Sequence, residues 1–220
     1  MSRAARRWPA TAVAVAGVVA LLLAGCTRHV DSPQARPESL AAPITTLQVV
    51  DLLSPKVVGD EGNLFAVAEP ERCAGLAREV DPPLLDAHRP LASDGGHWTG
   101  EEGEFYIEEM VAVYRAEFDP AAALDMARRT VDECLGTTLS VTTMRDRTYE
   151  FDVQPAAAEG PDGSVLWSLR AIDWNCDNLF VAAHNAAIEI TTCGPVPGYD
   201  VVSLAGEALE RIDALANTAA

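Results

Sequence analysis

The stretch that decides the fold runs from residue 176 to residue 193 and reads CDNLFVAAHNAAIEITTC. With a two-residue turn at His184-Asn185, its halves form a β-hairpin in which Cys176 lies opposite Cys193. Counted outward from the turn, the cysteines form a non-hydrogen-bonded pair, the closer spacing in an antiparallel ladder and one that suits a cross-strand disulfide. Because His-Asn lacks the glycine that tight hairpin turns favour, a longer loop is the alternative.

Alternation along the two strands divides this hairpin into two faces. One face is apolar and is predicted to cover the core, whereas the other, here called the cysteine face, combines the cysteines with polar neighbours. The apolar face consists of Leu179, Val181, Ala183, Ala186, Ile188 and Ile190, and the cysteine face includes Asn178, Glu189 and Thr191.

Two further cysteines, Cys73 and Cys134, bring the number in the body of the chain to four. Four cysteines allow three connectivities, and the hairpin register favours Cys176 with Cys193, which leaves Cys73 for Cys134. On the chain-entropy model the short and the long bridge stabilise the fold by about 3 and about 4 kcal/mol. Zinc is the rival use of four cysteines, but no CxxC or CxxH pair occurs, so we expect neither a metal nor a cofactor.

The strongest helix signal outside the hairpin covers residues 119–135. Asp119 is a suitable N-cap, Pro120 occupies the first helical position and Gly136 follows the last turn. The apolar stripe of this helix places Cys134 inward. Helices and antiparallel strands in this mixture predict an α+β fold.

The remaining elements are predicted as follows. Helices are expected at 46–54, with Leu47, Val50 and Leu53 on one face, from Pro70 to the Pro82-Pro83 pair, and from Ser203 onward. Strands are expected at 64–68, 105–115 with a bulge, 138–144, 148–153 and 165–172. Residues 86–103 are predicted to be a long loop or a loop around short strands.

The first 26 residues have the pattern of an export signal. Arginines at positions 3, 6 and 7 precede an uncharged run from Ala10 to Leu23, which closes with Leu-Ala-Gly-Cys at 23–26. This ending resembles the lipobox of bacterial lipoproteins, so residues 1–25 are predicted to be a lipoprotein signal peptide and Cys26 to be lipidated. The predicted location is the extracytoplasmic face of the cell membrane. The alternative is an ordinary secretory signal followed by a chance cysteine.

The charge of the chain excludes nucleic acid as a partner. Sixteen basic residues stand against 33 acidic ones, and Lys56 is the only lysine. A protein with a net charge of −17 cannot neutralise a phosphate backbone. Residues 26–43 contain three prolines among polar residues and are predicted to be a flexible tether, followed by a single domain at 44–218.

Several short motifs resemble the PknH-like extracellular sensor domain, which a mycobacterial serine/threonine kinase carries outside the membrane and which mycobacterial lipoproteins carry alone. The motifs are ERCAG at 71–75, VDECLG at 131–136, WNC at 174–176 and NAAIEITTCG at 185–194. The resemblance spans about residues 44–216 and includes the helix near 47–53. It implies a twisted antiparallel sheet packed with helices, two disulfides and a cleft for an unidentified extracellular ligand. Kinase motifs are absent from the sequence, so signalling would need a membrane protein partner.

Candidate ligand-binding residues are few. His97 and Trp98 follow Gly95-Gly96 and could line a pocket, although a tryptophan packed on the sheet edge is the simpler interpretation. Trp174 is a further candidate, with structural packing as its alternative. The acidic residues Glu101, Glu102, Glu104, Glu108 and Glu109 are predicted to form a solvated face, and His184 to be exposed at the hairpin tip.

No motif of a known catalytic class occurs in the sequence, so the protein is not predicted to be an enzyme. The predicted function is that of a membrane-anchored, extracytoplasmic sensor or ligand-binding module for a small molecule or an envelope component. The alternative is an envelope interaction or scaffold protein that docks a membrane partner through its acidic surface.

Overall fold

A computed structural model describes residues 42–59, 62–100 and 103–218. The predicted signal peptide, the predicted lipidation site Cys26, most of the predicted tether, and Glu101 and Glu102 lie outside these ranges. The strands are β1 (Phe65–Glu69), β2 (Ala92–Thr99), β3 (Tyr106–Val113), β4 (Thr138–Thr143), β5 (Thr148–Pro155), β6 (Ser164–Arg170), β7 (Asn175–Ala183) and β8 (Ala186–Gly194). The α-helices are α1 (Pro83–Asp86), α2 (Pro120–Cys134) and α3 (Val201–Thr218), and 3₁₀ helices cover Thr46–Leu52 and Glu71–Leu76.

All eight strands form one antiparallel sheet in the order β1-β4-β5-β6-β7-β8-β3-β2. The β7–β8 hairpin has the predicted register, with Ala183 opposite Ala186 and Cys176 opposite Cys193. The turn needs no glycine because His184 adopts a φ of +51°. The Asn185 side chain then fixes the turn, since it hydrogen-bonds to both the amide and the carbonyl of Ile44.

Both predicted disulfides are present. Cys176 and Cys193 are bridged across the hairpin with a Cα–Cα distance of 4.1 Å. Cys73 and Cys134 join the second 3₁₀ helix to the end of α2. The predicted α+β fold, with an antiparallel sheet, helices and two disulfides, is therefore confirmed.

Helices cover both faces of the sheet. On the cysteine face, the second 3₁₀ helix, α1 and α2 pack over a core that includes Trp167, Phe151 and Phe180. On the opposite face, the first 3₁₀ helix and α3 cover Leu179, Ile188 and their neighbours. The apolar face covers a core as predicted, and the cysteine face covers a second one, since its polar residues are buried as well.

The long helix matches its prediction in both position and capping. α2 begins at Pro120, and the Asp119 carboxylate accepts a hydrogen bond from the Ala122 amide. After its last turn, Gly136 adopts a φ of +73°, which a glycine tolerates without strain. Cys134 is fully buried, as the apolar stripe predicts.

Two local predictions were wrong, and a third was open between alternatives. The first helix is 3₁₀, and its three-residue repeat buries Val49 and Leu52 while Leu47 and Val50 stay exposed. At 86–103, where a long loop and a loop around short strands were the alternatives, strand β2 occupies eight residues, so the second alternative is the nearer one. Strand β3 pairs in unbroken register with both neighbours, so the apparent phase slip reflects burial on both faces instead of a bulge.

The helices of the described ranges include none that combines the length and the apolar character required to cross a bilayer.

Candidate functional site

A pocket of about 250 Å³ opens on the cysteine face. Its walls come from β1, β4 and β5 on one side and from β3 and β8 on the other, although four strands separate β1 from β8 within the sheet. The curl of the sheet therefore creates the pocket by bringing distant strands face to face. It is lined by Asn63, Phe65, Glu79, Tyr106, Glu108, Thr143, Arg145, Tyr149, Trp174, Thr191 and Cys193.

Glu79 is held at the base of the pocket by its own backbone and by strand β1. Its amide donates to the Phe65 carbonyl at 2.8 Å, and its Oε2 accepts from the Phe65 amide at 2.7 Å. The Thr191 hydroxyl is a further hydrogen-bond partner of the carboxyl group. These contacts fix the orientation of a side chain that is almost fully buried.

Glu108 reaches the same pocket from β3. Only 8 % of the residue is exposed, and its buried Oε1 has no hydrogen-bond partner. It lies opposite Thr191 on β8 and opposite His97 on β2. The prediction of a solvated acidic face was therefore wrong for Glu108, because strand alternation directs this side chain into the interior.

Glu109, the next residue, is also buried, but its side chain lies on the opposite face of the sheet. Its carboxylate pairs with the Arg211 guanidinium of α3 and accepts from the Ser54 amide at 2.7 Å. Burial raises the pKa of Glu109, and the arginine opposes that rise. We assign this pair a structural role, since it ties β3 to α3 and to the end of the first 3₁₀ helix.

Besides Glu79 and Glu108, the cysteine face buries a third carboxyl group, that of Glu189. It is 5 % exposed, and its Oε2 has no partner. On the neighbouring strand β7, the Oδ1 of the buried Asn178 is likewise unpartnered. Buried acceptors without donors are rare in folded proteins, and this face holds three of them, on Glu108, Glu189 and Asn178.

Burial shifts the carboxyl groups of Glu79, Glu108 and Glu189 toward their protonated forms. It raises the pKa of Glu79 to about 7 despite the two hydrogen bonds that oppose the shift. Burial and then the charge of Glu79 raise the pKa of Glu108 to about 8, and the same two causes raise that of Glu189 well above its ordinary value. Glu79 and Glu108 can therefore exchange protons near neutral pH.

Aromatic rings form much of the remaining wall. The Phe65 and Tyr149 ring centroids lie 6.2 Å apart, and those of Tyr149 and Trp174 lie 6.3 Å apart. Tyr106 adds a fourth ring from β3 and stacks on His97 at 5.9 Å. Arg145 contributes an exposed cation to the lining.

The structure separates the predicted ligand-binding residues. Trp174 lines the pocket. His97 lies behind Tyr106, whereas Trp98 points to the opposite face and is buried in the core there. His184 is not isolated at the hairpin tip, since its Nε2 lies 2.9 Å from the Asp213 carboxylate.

Sequence reasoning missed Glu79, Glu108, Tyr106 and Tyr149 as pocket residues. The available signal was the alternation of Tyr106, Glu108 and Met110 on one face of β3. Within the ranges that the structure describes, no group of three or more histidine, cysteine, aspartate or glutamate side chains is placed to hold a metal ion.

Comparison with known proteins assigns the fold to one family. The model of the PknH-like extracellular domain matches residues 53–211. The crystal structure of the extracellular domain of PknH from Mycobacterium tuberculosis aligns with a TM-score of 0.59 and 16 % identity, covering 80 % of this chain and 98 % of that one. An uncharacterized protein from Mycobacterium smegmatis has the same identity and coverage but a TM-score of only 0.32. No curated protein matches the chain.

Proposed function

We propose that this chain, which belongs to the PknH-like extracellular domain family, is an extracytoplasmic module that binds a small molecule in the pocket of the cysteine face. The observation that carries the proposal is a concave site in which aromatic walls surround two buried carboxyl groups, Glu79 and Glu108, the second of which has an unpartnered oxygen. Ligand sites are typically concave and mostly apolar with a few convergent polar groups, and this pocket has that composition.

Binding without catalysis fits the residues of the pocket best. All four cysteines of the described domain are in disulfides, so no thiol nucleophile is present in the described residues. The buried Oε1 of Glu108 has no hydrogen-bond partner, and Glu79 contacts a backbone amide and the Thr191 hydroxyl, so neither carboxyl is paired with a histidine in the described residues. The Thr191 hydroxyl is engaged with Glu79, and His97 is stacked behind Tyr106.

The module would act at the cell membrane through a lipid on Cys26. This part of the proposal rests on the lipobox-like ending at 23–26 and on the extracytoplasmic location that the family indicates. Sensing across the membrane would then require a membrane protein partner, because the sequence contains no kinase motif.

A scaffold role based on an acidic surface has less support. Two of the five carboxylates assigned to that surface, Glu108 and Glu109, are buried.

The test is a binding screen with the full-length, detergent-solubilised protein. Saturation-transfer NMR would be run against small amines, amino acids, monosaccharides and short carboxylic acids. We expect at least one class to bind and Trp174→Ala to weaken that binding, whereas the exposed neighbour Ile172→Ala leaves it unchanged. If no compound binds, or if both variants bind as the parent does, the pocket is not the ligand site and the proposal fails.

A further inference from the structure

We propose that the ligand of this pocket carries a protonated amino group, which is received by Glu108 and Glu79 between the aromatic rings. This assignment rests on the proposed function, since it names the chemical class of the ligand that the same pocket takes. The ligand would be a small amine, or a larger molecule that inserts a primary ammonium group.

The first argument is the balance of hydrogen-bond donors and acceptors. The Oε1 atom of Glu108 is buried at the pocket and accepts no hydrogen bond from the protein. Glu79 uses its carboxyl group as an acceptor toward Phe65 and Thr191, so its contacts already favour the ionised form. The pocket therefore lacks donors, and an ammonium group supplies three of them.

The second argument is charge. Neither Glu79 nor Glu108 has an ion pair in the described residues, and each carboxylate opposes ionisation of the other. A cation between them would offset that repulsion. It would also give each buried carboxylate the oppositely charged partner that it lacks in the protein. A neutral hydroxyl could fill the hydrogen bonds but would leave the repulsion unchanged.

The third argument is the aromatic lining. Phe65, Tyr106, Tyr149 and Trp174 all contribute to the wall. The faces of such rings attract cations, most strongly where water is excluded. One cation already uses this property nearby, since the Arg147 guanidinium lies 4.6 Å from the centroid of the Tyr149 ring.

Arg145 is the one positive residue in the pocket lining, and its position does not oppose this assignment. It is exposed, whereas Glu79 and Glu108 are buried. Its charge is therefore screened by solvent far more than theirs. An anionic end on the ligand would find its counterpart there.

The experiment compares three probes of similar or smaller size than the pocket: n-butylamine, n-butanol and glucose. Binding to the full-length protein in detergent is measured by NMR titration at pH 6 and at pH 8.5, in moderate salt to suppress non-specific attraction to the acidic surface. The groups that face the site and can titrate or carry charge are Glu79, Glu108, Glu189, His97, Tyr106, Tyr149 and Arg145.

We expect n-butylamine to bind and n-butanol to bind at least about tenfold more weakly. The affinity for n-butylamine should rise by about tenfold or more from pH 6 to pH 8.5, because the amine stays protonated while Glu108, with a pKa of about 8, loses its proton. Glu108→Gln should reduce that affinity about tenfold and flatten its dependence on pH, whereas the exposed Glu150→Gln should change neither.

Two results would overturn the assignment. If glucose or n-butanol binds in the pocket as tightly as n-butylamine, the amine class is wrong while the pocket remains a ligand site. If n-butylamine does not bind at high millimolar concentration, or binds equally at both pH values, the ammonium assignment is rejected, and the broader screen with Trp174→Ala decides separately whether the pocket binds any ligand.

Discussion

Glu79 and Glu108 meet in a pocket where neither carboxyl group has a cationic partner, and this arrangement ties the stability of the fold to pH. Their folded-state pKa values, about 7 and about 8, lie above the ordinary value near 4.5. At pH values between the ordinary pKa and these raised pKa values, the folded state binds more protons than the unfolded state. Their contribution to stability is therefore complete below about pH 4.5 and is lost as the pH rises through 7 and 8.

The expected result is a free energy of unfolding that falls from pH 5 to pH 9. Glu108→Gln should reduce this fall by about 1–3 kcal/mol, because the glutamine does not ionise and relieves the repulsion on Glu79. The measurement is urea unfolding followed by tryptophan fluorescence at pH 5, 7 and 9. Glu150→Gln, at an exposed position, is the control. A pH dependence identical in all three proteins would show that Glu108 does not titrate as a buried carboxyl.

Asn185 is a second residue whose side chain makes a large contribution to the stability of the fold. Its Oδ1 accepts from the Ile44 amide, and its Nδ2 donates to the carbonyls of Ile44 and Tyr114, all within 2.9 Å. Asn185→Ala should lower the free energy of unfolding by about 2–4 kcal/mol, since it leaves three backbone groups unpaired in a buried setting. Asn175→Ala removes a single exposed hydrogen bond to Pro195 and should cost less than about 1 kcal/mol. If chemical denaturation shows the same loss of unfolding free energy for Asn185→Ala and Asn175→Ala, the stabilising role of the Asn185 side chain is contradicted.

At the scale of elements, the two disulfides constrain different kinds of structure. The Cys176–Cys193 bridge closes a separation of 17 residues between strands already joined by a ladder of hydrogen bonds. The Cys73–Cys134 bridge closes a separation of 61 residues and ties a short 3₁₀ helix to α2. The second bridge therefore removes more freedom from the unfolded chain.

Replacing Cys73 and Cys134 together by alanine should cost about 4 kcal/mol, and replacing Cys176 and Cys193 about 3 kcal/mol. Both double variants would be compared with the parent by thermal and urea unfolding under oxidising conditions. Strong reductant should abolish the differences, because the parent then lacks both bridges. If the variant without Cys176 and Cys193 is the less stable of the two, loop length does not determine how much each disulfide stabilises the fold.

The elements that the sequence pattern predicts are those with local signals. The Cys176–Cys193 register follows from counting outward from one turn, and α2 follows from Asp119, Pro120 and Gly136 at its ends. Strand β2 was not placed because Gly95-Gly96 is typical of a loop, and here it permits close approach by Val57 and Met110. β3 was misjudged because both of its faces are buried, which removes the alternation on which the prediction depends.

For the molecule as a whole, the curl of the sheet is what makes a site from residues that no local pattern connects. Phe65 lies on an edge strand, Thr191 lies five strands away in the sheet order, and Glu79 lies in a loop, yet all three line one pocket. Trp174 was the one pocket residue that the sequence singled out for ligand binding. The other residues belong to the site only through the long-range closure of the sheet, which a motif of neighbouring residues does not encode.

The charge of the whole molecule bears on how it stays at the membrane. Cleavage before Cys26 would remove three arginines and no acidic residue, which takes the net charge from −17 to −20. Such a body is repelled by an anionic lipid surface, so surface electrostatics would not hold it at the membrane, whereas a hydrophobic anchor would. Acyl chains on Cys26 would provide about 0.8 kcal/mol for each buried methylene group.

Cys26→Ala should therefore move the protein from the detergent phase to the aqueous phase in a Triton X-114 partition, whereas the parent should resist extraction by high salt. Mass spectrometry of the parent should find a diacylglycerol-modified residue 26 and no peptide from residues 1–25. Because Cys26 lies outside the described domain, the variant should keep the unfolding curve of the parent, which separates loss of the anchor from loss of the fold. A parent protein that salt alone releases, or that retains its first 25 residues, would contradict lipid anchoring while leaving the pocket and its ligand class intact.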